Sequence, residues 1–206
     1  MANGAAPVEA LGVPPMPTTL SIFCRWPEPG AAKTRLIPEY GAEGAAAIYT
    51  KLLVHTVAVA RASRLPFELR VTGAPPERFR AQFGGDLCVV EQGEGDLTDR
   101  LCRVPAPAII IGSDCPGLTP ELLREAKEAL DSETAVVGPA CDGGYYLIGV
   151  RETASYAFTD MPWSTETVFT ETMARFEAHG IRPALLPELS DIDMPGDLTE
   201  WPDFLP

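Results

Sequence analysis

Two hydrophobic patterns alternate along the chain, one typical of buried strands and the other of amphipathic helices. The first run, Thr19–Arg25, contains Leu20 and the consecutive apolar residues Ile22, Phe23 and Cys24, as in a buried strand. In the segment 42–62, apolar or small residues recur at steps of four and three, which is the period of one helix face. The residues of that face are Ile48, Leu52, Thr56 and Val59.

The same alternation continues to the end of the chain. The later predicted strands are 67–72, 87–92, 108–113, 134–139, 145–150 and 182–186. The later predicted helices are 76–83, 119–130 and 165–179, with a helical turn or two within 96–104. Helix 119–130 has the clearest start, because Thr119 is a good N-cap and Pro120 fits the first helical position. Helix 165–179 is predicted to stop at Gly180.

Strands that alternate with helices, and that are apolar on both faces, predict an α/β fold. We expect three layers, α/β/α, in which helices cover both faces of a mainly parallel central sheet. Ligands bind to such sheets at the carboxyl ends of the strands. The loops that follow the strands are therefore the places where functional residues are expected.

One domain is expected from position 19 to position 206, since a chain of 206 residues suits a single domain. Segment 1–18 is rich in Ala and Pro and lacks the basic start and long apolar core of a signal peptide, so we expect a flexible tail. No apolar run approaches the length of a membrane span.

The composition narrows the set of partners. Lys plus Arg is 16 and Asp plus Glu is 29, which gives a net charge of -13, and no basic stripe is present. Sequence-independent binding of nucleic acid is therefore not expected. A nucleotide can still bind through local cations, backbone N–H groups or a metal ion. The five cysteines include no CxxC pair, so we expect reduced thiols in a cytoplasmic protein.

The loop after the first strand, RWPEPGAAKTRL, invites comparison with phosphate-binding loops. A Walker A motif that included Lys33 would need glycine at two positions that hold Pro27 and Ala32 instead, which excludes a P-loop ATPase. What remains is a Pro/Gly turn that brings Arg25, Lys33 and Arg35 together in an acidic protein. Phosphate binding at a strand end is the favoured interpretation. The alternative is a solvated loop with incidental basic residues.

The stretch IIIGSDCPGLTP carries Asp114 to the end of the most apolar predicted strand. Its carboxylate can accept hydrogen bonds within a turn, which Pro116 and Gly117 predict. A carboxylate at such an edge is also a natural ligand for Mg2+ or Mn2+, ions that take one or two carboxylates and complete their shell with water and phosphates. Both interpretations stay open for Asp114 alone.

Two later segments add acids and glycines. In PACDGGYYLIG, two adjacent glycines allow a close approach of the backbone to a ligand, but Asp-Gly is also typical of a hairpin turn. Tyr145 and Tyr146 alternate faces there, so we expect one in the core and one at a cleft. In SDIDMPGDL, Asp191 and Asp193 point the same way if the chain is extended. They either share a metal ion with Asp114 or are solvated.

Five motifs, taken in order, resemble those of one transferase family. They are FxxxPEPGxxKTRL, GSDCPxLTPxLLxxA, GPAxDGGYYLIG, MPWS and DIDxPxDL, and they span nearly the whole chain outside the tail. Together they resemble bacterial GT-A-fold transferases of the arsenosugar-biosynthesis-type glycosyltransferase family, which have a nucleotide-diphospho-sugar transferase fold. The molybdenum-cofactor and phospholactate guanylyltransferases are more distantly similar.

The resemblance implies a role for each matching residue. The residues implied to bind the nucleotide are Phe23, Arg25, Gly30, Lys33, Arg35, Gln92, Asp96 and Ser113. A metal ion, Mg2+ or Mn2+, would be held by Asp114 and Asp193. The residues implied to bind the sugar or the acceptor are Asp142, Gly143, Gly144, Tyr145 and Trp163. The implied catalytic residues are Asp142, Lys33 and Arg35.

One departure from the family concerns the run QGEGDLTDRL, which resembles a run that lines the nucleotide cleft in the family. Thr98 stands where that run has glycine, and Leu101 stands where it has methionine. The two substitutions therefore affect the local backbone turn and the contacts with the nucleotide base that the resemblance implies.

The expected reaction is metal-assisted transfer from a nucleotide-activated donor to a small-molecule acceptor. The family implies a glycosyltransferase with a nucleotide-diphospho-sugar donor, and the first loop favours this because it is poorer in glycine than loops that wrap a triphosphate. One alternative is a nucleotidyltransferase that joins an NTP to a phosphorylated small molecule with release of pyrophosphate. Another is a nucleotide-sugar-binding protein without turnover. A homodimer is left open.

Overall fold

The computed structural model describes residues 17–206, so most of the expected tail 1–18 lies outside the described residues. The strands are β1 (Thr19–Arg25), β2 (Phe67–Thr72), β3 (Val89–Glu91), β4 (Ala108–Ile111), β5 (Ala135–Pro139), β6 (Tyr145–Val150) and β7 (Ala184–Leu185). The α-helices are α1 (Ile37–Ser63), α2 (Pro76–Phe83), α3 (Leu97–Cys102), α4 (Pro120–Ser132) and α5 (Val168–Ala178). Short 3-10 helices lie at Thr34–Leu36, Ser155–Ala157, Pro195–Thr199 and Pro202–Phe204.

The strands of residues 17–206 form one sheet in the order β3-β2-β1-β4-β6-β5-β7. Strand β6 is antiparallel to its neighbours β4 and β5, and the other neighbouring pairs are parallel. The expected mainly parallel sheet is therefore confirmed. Because β1 and β4 run parallel, with Ile22 opposite Ile111, the loops that follow them leave the same edge of the sheet.

Helices cover both faces of the sheet, which confirms the three-layer architecture. Ile109 and Ile111 of β4 belong to a buried cluster that includes Leu123 and other residues from α1, α2 and α4. Ile110, between them on the same strand, belongs to a second cluster with Phe176 of α5 and residues of α3. Successive side chains of a strand point to opposite faces, so a continuously apolar strand is buried between two helical layers.

The predicted elements are present, with differences at their ends. Strand β3 is shorter than the predicted 87–92, and β7 has two residues. Helix α5 begins at Val168 rather than at 165, because the hydroxyl of Thr165 donates to the carbonyl of Pro162 and closes a turn before the helix. Helix α1 begins at Ile37, but Gly41 has a left-handed backbone conformation, so regular helix starts near the predicted position 42.

The structure of residues 17–206 also bears on the cysteines and on membrane-spanning segments. All five cysteines are free thiols in the structure. Among the helices of residues 17–206, none combines the length and the apolarity that a membrane crossing requires.

Candidate active site

Four loops meet at the carboxyl edge of the sheet. Three follow β1, β4 and β5, and the fourth is the segment 189–193. Backbone hydrogen bonds tie this segment to the others. The N–H of Ile192 donates to the carbonyl of Asp114 at 2.9 Å. The N–H of Cys141 donates to the carbonyl of Leu189 at 3.0 Å. The loops expected to carry chemistry are therefore brought together.

Lys33 lies between two carboxylates of this edge. Its Nζ is 3.1 Å from Asp114 Oδ2 and 3.6 Å from Asp193 Oδ1, and its side chain is only 7% exposed. Burial lowers the pKa of Lys33, but the attraction of the aspartates outweighs it, so the pKa is raised above its usual value. The ammonium is therefore charged and holds the Asp114 carboxylate in a fixed position.

Asp193 is engaged by cations of the first loop. Besides Lys33, the guanidinium of Arg35 donates to its carboxylate. The carboxylate of Asp197 accepts from the backbone N–H groups of Asp193 and Met194, at 2.9 and 2.7 Å, and so fixes this turn. The side chain of Arg35 is nevertheless 65% exposed, which leaves it accessible to a ligand.

A cleft of about 380 Å³ opens beside Asp114. The residues with a predicted role that line it are Phe23, Asp114, Asp142, Gly144, Tyr145 and Trp163. The predicted residues outside its lining are Arg25, Gly30, Lys33, Arg35, Gln92, Asp96, Ser113, Gly143 and Asp193. The structure thus gathers Asp114, Asp142 and the aromatic residues around the cleft, and it places Lys33 beside the cleft through its contact with Asp114.

Tyr145 and Tyr146 lie on opposite faces of β6, as their alternation predicts. Tyr146 belongs to the buried core, and its hydroxyl donates to the carbonyl of Pro187 at 3.0 Å. Tyr145 packs, partly buried, against the other cluster and lines the cleft, which Tyr146 also reaches. The expected division into one core residue and one cleft residue is therefore confirmed.

Asp191 lines the cleft, whereas Asp193 does not. Burial, followed by repulsion from Asp114 and Asp142, raises the pKa of the half-buried Asp191 to about 6, and Lys33 opposes the rise. The alternation of side chains in an extended segment places both acids on one side, and both carboxylates act on Lys33, but only Asp191 reaches the cleft lining. Metal binding by Asp193 stays a prediction, and Asp191 is a cleft residue to which the resemblance gives no role.

Asp142 occupies the hairpin turn between β5 and β6, as its Asp-Gly pair predicted. Its Oδ1 accepts from the N–H of Gly144 at 2.8 Å. Gly143 has φ +86°, and the N–H of Phe169 donates to its carbonyl at 2.8 Å. A Cβ at Gly143 would lie 2.2 Å from the carbonyl oxygen of Glu166. This turn is therefore held against the start of α5, with Asp142 at the mouth of the cleft.

Ser113 forms a buried hydrogen bond at the carboxyl edge of the sheet. Its buried hydroxyl is 2.8 Å from the hydroxyl of Tyr49. The Tyr49 oxygen also accepts from the backbone N–H of Arg25 at 3.1 Å. One phenol on α1 therefore links the ends of β1 and β4, the two strands that deliver Lys33 and Asp114.

Gln92 is buried and bonded within the protein. Its Nε2 donates to the carbonyls of Cys24 and Arg70, at 3.1 and 2.9 Å. Its Oε1 accepts from Arg100 at 3.4 Å. The amide therefore holds the carboxyl ends of β1 and β2 together.

Replacing Gln92 by Leu, which is of similar size, is expected to lower the free energy of unfolding by about 1–3 kcal/mol, because two buried carbonyls lose their donor. Chemical denaturation would measure the change. Gln82→Leu is the matched control, since Gln82 is exposed on α2 and its replacement should stay within about 0.5 kcal/mol. Equal effects of the two substitutions would contradict the supporting role of Gln92.

Asp96 and Thr98 shape the helical turn that borders the cleft. Asp96 is the N-cap of α3 and forms a capping box with Asp99, whose N–H donates to it at 3.0 Å. The hydroxyl of Thr98 donates to the carbonyl of Phe158 at 3.0 Å and accepts from the indole N–H of Trp163 at 2.9 Å. The residue that departs from the family pattern thus fixes Trp163. Sequence reasoning missed this contact between residues far apart in the chain.

The acidic residues at this edge can hold a divalent cation only if a bound molecule supplies further oxygen atoms. Within residues 17–206, no three His, Cys, Asp or Glu side chains are grouped closely enough to bind a metal ion by themselves. Asp114 and Asp191 both present carboxylates to the cleft. One or two carboxylates are sufficient for Mg2+ or Mn2+ when phosphates and water supply the remaining oxygens. These residues therefore fit a cation that binds together with a phosphate-bearing molecule.

One family profile and several solved structures are similar to this chain. The sequence profile of the family described as "Uncharacterized protein conserved in bacteria (DUF2064)" matches residues 55–165. No curated protein is similar enough in sequence to match this chain. A solved structure from Desulfovibrio desulfuricans G20, named as a candidate nucleotide-diphospho-sugar transferase, is 28% identical. The match covers 87% of this chain and 84% of that one, with a TM-score of 0.76.

Two more distant structures share the fold. Rv0371c from Mycobacterium tuberculosis H37Rv, in complex with manganese, is 18% identical, with 89% of this chain and 97% of that one covered and a TM-score of 0.54. The 4-diphosphocytidyl-2C-methyl-D-erythritol synthase from Anaerococcus prevotii DSM 20548 is 10% identical, with 89% and 94% covered and a TM-score of 0.55. The expected nucleotide-diphospho-sugar transferase-like fold is confirmed.

Proposed function

This chain belongs to the family described as "Uncharacterized protein conserved in bacteria (DUF2064)", and we propose that it is a metal-dependent glycosyltransferase. Its donor would be a nucleotide-diphospho-sugar and its acceptor a small molecule. The observation that carries the proposal is the meeting of a basic loop and several carboxylates beside the cleft. Ligands of α/β sheets bind at this edge.

The relative from Desulfovibrio desulfuricans G20 supports the same class of reaction, since it is 28% identical over most of both chains and is named as a candidate nucleotide-diphospho-sugar transferase. The more distant structures support the fold alone. The closer likeness to the arsenosugar-biosynthesis-type family is part of the proposal and rests on the five sequence motifs.

In this proposal Asp114 and Asp191 hold Mg2+ or Mn2+. Both line the cleft, and a cation would relieve the crowding of Asp191 by the charges of Asp114 and Asp142. Asp193, which the resemblance names as a ligand, instead supports the site through Lys33 and Arg35. When bound, the cation supplies positive charge that stabilises the departing diphosphate.

The residues of the chain account for the other parts of the transfer. Asp142 accepts the proton of an acceptor hydroxyl, whose oxygen attacks the anomeric carbon of the donor sugar. A new carbon–oxygen bond forms, the bond from that carbon to the diphosphate breaks, and its electron pair leaves with the diphosphate. Arg25 and Arg35 hold the phosphates, and Lys33 keeps Asp114 in place.

The remaining predicted residues divide into two groups. Phe23 and Gly30 are proposed to contact the nucleotide, and the residues proposed to shape the acceptor side are Gly143, Gly144, Tyr145 and Trp163. Gln92, Asp96 and Ser113 are proposed as positioning residues, because their side chains bond within the protein.

The rival reaction, nucleotidyl transfer, releases a different product. Purified protein would be given UDP-, GDP- and ADP-sugars, and separately NTPs with sugar phosphates, each with and without Mn2+. Release of nucleoside diphosphate supports the proposal, and release of pyrophosphate supports the rival. Nucleotide binding without either product would indicate a binding protein. The loop PEPGAAKTR, which contains one glycine and two prolines, favours the first outcome.

Replacing Arg35 by Ala is expected to weaken the binding of a nucleoside diphosphate about tenfold, because a charge-assisted hydrogen bond to phosphate is lost. Titration calorimetry with UDP, GDP and ADP would measure the dissociation constants. Arg124→Ala, which removes a partly exposed, ion-paired guanidinium from α4, is the matched control. Equal affinities of the two variants would remove Arg35 from the phosphate site.

A further inference from the structure

The described residues that line the cleft include acidic side chains and no basic ones. Among the described residues that line it, the charged ones are Asp114, Asp142 and Asp191, and none is Lys, Arg or His. The other lining residues are apolar, aromatic, hydroxyl-bearing or glycine. A molecule that enters the cleft therefore meets negative charge and apolar walls.

Two cations near the cleft, Lys33 and Arg175, have partners within the protein. Lys33 is buried between Asp114 and Asp193. Arg175, on α5 near Tyr145, donates to backbone carbonyls in the loop before that helix. Arg25 and Arg35 are exposed, but both belong to the first loop, where the donor phosphates are proposed to bind. Among residues 17–206, the cleft lining therefore offers no further positive charge for a second phosphate group.

Two aromatic residues form part of the cleft wall. The rings of Tyr145 and Trp163 pack edge to face with centroids 6.4 Å apart. The indole N–H of Trp163 donates to Thr98, which in turn donates to the carbonyl of Phe158. The ring of Trp163 is therefore held in one orientation. Aromatic walls of this kind bind apolar faces, rings and cations.

We infer that the acceptor is a neutral or cationic molecule with a ring or apolar body, and that phosphorylated acceptors are rejected. The inference rests on the proposed function, since it names the acceptor of that reaction. A divalent cation does not reverse the argument. Together with Lys33 and Arg35 the cation brings four positive charges, which the carboxylates of Asp114, Asp191 and Asp193 and the donor diphosphate more than balance. Asp142 remains on the acceptor side, so an acceptor phosphate would face repulsion without a compensating cation.

The same inference separates the two transfer reactions. A nucleotidyltransferase that joins an NTP to a phosphorylated molecule needs a site for that phosphate, which proteins usually build from Arg or Lys. The lining of this cleft offers neither among the described residues. It suits the attack of an uncharged hydroxyl on a sugar.

The test uses Trp163 as the reporter. In a variant that carries Trp26→Phe and Trp201→Phe, Trp163 is the remaining tryptophan. Quenching of its fluorescence would be titrated with benzylamine, benzyl alcohol and phenyl phosphate, which share a ring and differ in charge. EDTA in the buffer prevents a phosphate from binding through a metal ion. Phenyl phosphate is expected to bind at least about tenfold more weakly than the other two.

The second part of the test reverses the charge of one residue at the mouth of the cleft. Asp142→Lys is expected to improve the binding of phenyl phosphate about tenfold, whereas Glu128→Lys, the same charge change on an exposed position of α4, leaves it unchanged. Circular dichroism would establish that each variant is folded. Phenyl phosphate as the tightest probe, no saturable quenching by any probe, or equal effects of the two substitutions would each overturn the inference.

This experiment needs no nucleotide and no turnover, so its failure is distinct from a failure of the donor assay. Where the donor assay finds an active donor, matched pairs such as mannose and mannose 6-phosphate extend the test to turnover. Faster release of nucleoside diphosphate with the phosphorylated member of the pair would also overturn the inference.

Discussion

Replacing Asp114 by Asn is expected to lower turnover by at least about a hundredfold and to leave the fold intact. The amide keeps the size of the side chain but loses the negative charge that a divalent cation and the Lys33 ammonium both require. Asp114 is the one acid that both lines the cleft and contacts Lys33 among the described residues. Initial rates over a range of Mn2+ concentrations would measure the loss and any weakening of metal binding.

Three further Asp→Asn variants make this result specific. Asp191→Asn should approach the effect of the Asp114 variant, because its carboxylate also lines the cleft. Asp193→Asn should have a smaller effect, since its carboxylate lies outside the lining. Asp131→Asn, on the exposed surface of α4, should have none. Turnover of the Asp114 variant at the level of the Asp131 variant would reject metal-assisted transfer at this site.

Replacing Gly143 by Ala is expected to lower the free energy of unfolding by more than about 2 kcal/mol and to impair turnover at the same time. A φ of +86° costs a residue with a Cβ about 1–2 kcal/mol. The added Cβ would also lie 2.2 Å from the backbone oxygen of Glu166, so the turn or the loop before α5 must move. The same movement would displace Asp142, which is why turnover is expected to fall. Thermal or chemical denaturation would measure the loss of stability.

Gly180→Ala separates the two causes. Gly180 has φ +71°, but no atom lies within 4 Å of a Cβ at that position. This substitution therefore carries the backbone cost without the clash, and it should destabilise the protein less than Gly143→Ala. If the two variants were equally stable, the close contact between the hairpin turn and Glu166 would not hold in solution.

The fold could be predicted because its signals are local. The run Ile109–Ile111 is apolar on both faces, and Thr119 with Pro120 marks the start of the next helix. The position of Asp114 at the end of β4 could be predicted for the same reason, since it lies between a strand signal and a helix signal that are only a few residues apart. A stiff strand and a capped helix fix the position of whatever residue connects them.

The site could be predicted only in part, because its details depend on contacts between distant segments. Which of Asp191 and Asp193 lines the cleft depends on contacts of the folded chain, and spacing along the chain does not contain that information. Gln92 has the same chemistry whether its amide faces a nucleotide or two strand-end carbonyls. The contact from Thr98 to Trp163 joins two loops on different elements, which no local pattern indicates.

The ion pairs of the first loop also have a consequence for the order of folding. Lys33 and Asp114 are separated by 81 positions, and Arg35 and Asp193 by 158. Contacts between such distant positions form late, because the entropic cost of closing a long loop precedes any gain from the contact. During synthesis, the segment that carries Asp191 and Asp193 leaves the ribosome last among these residues. The ion pairs of the carboxyl edge can therefore form only after this segment has been synthesised, and partly folded precursors lack this charge arrangement.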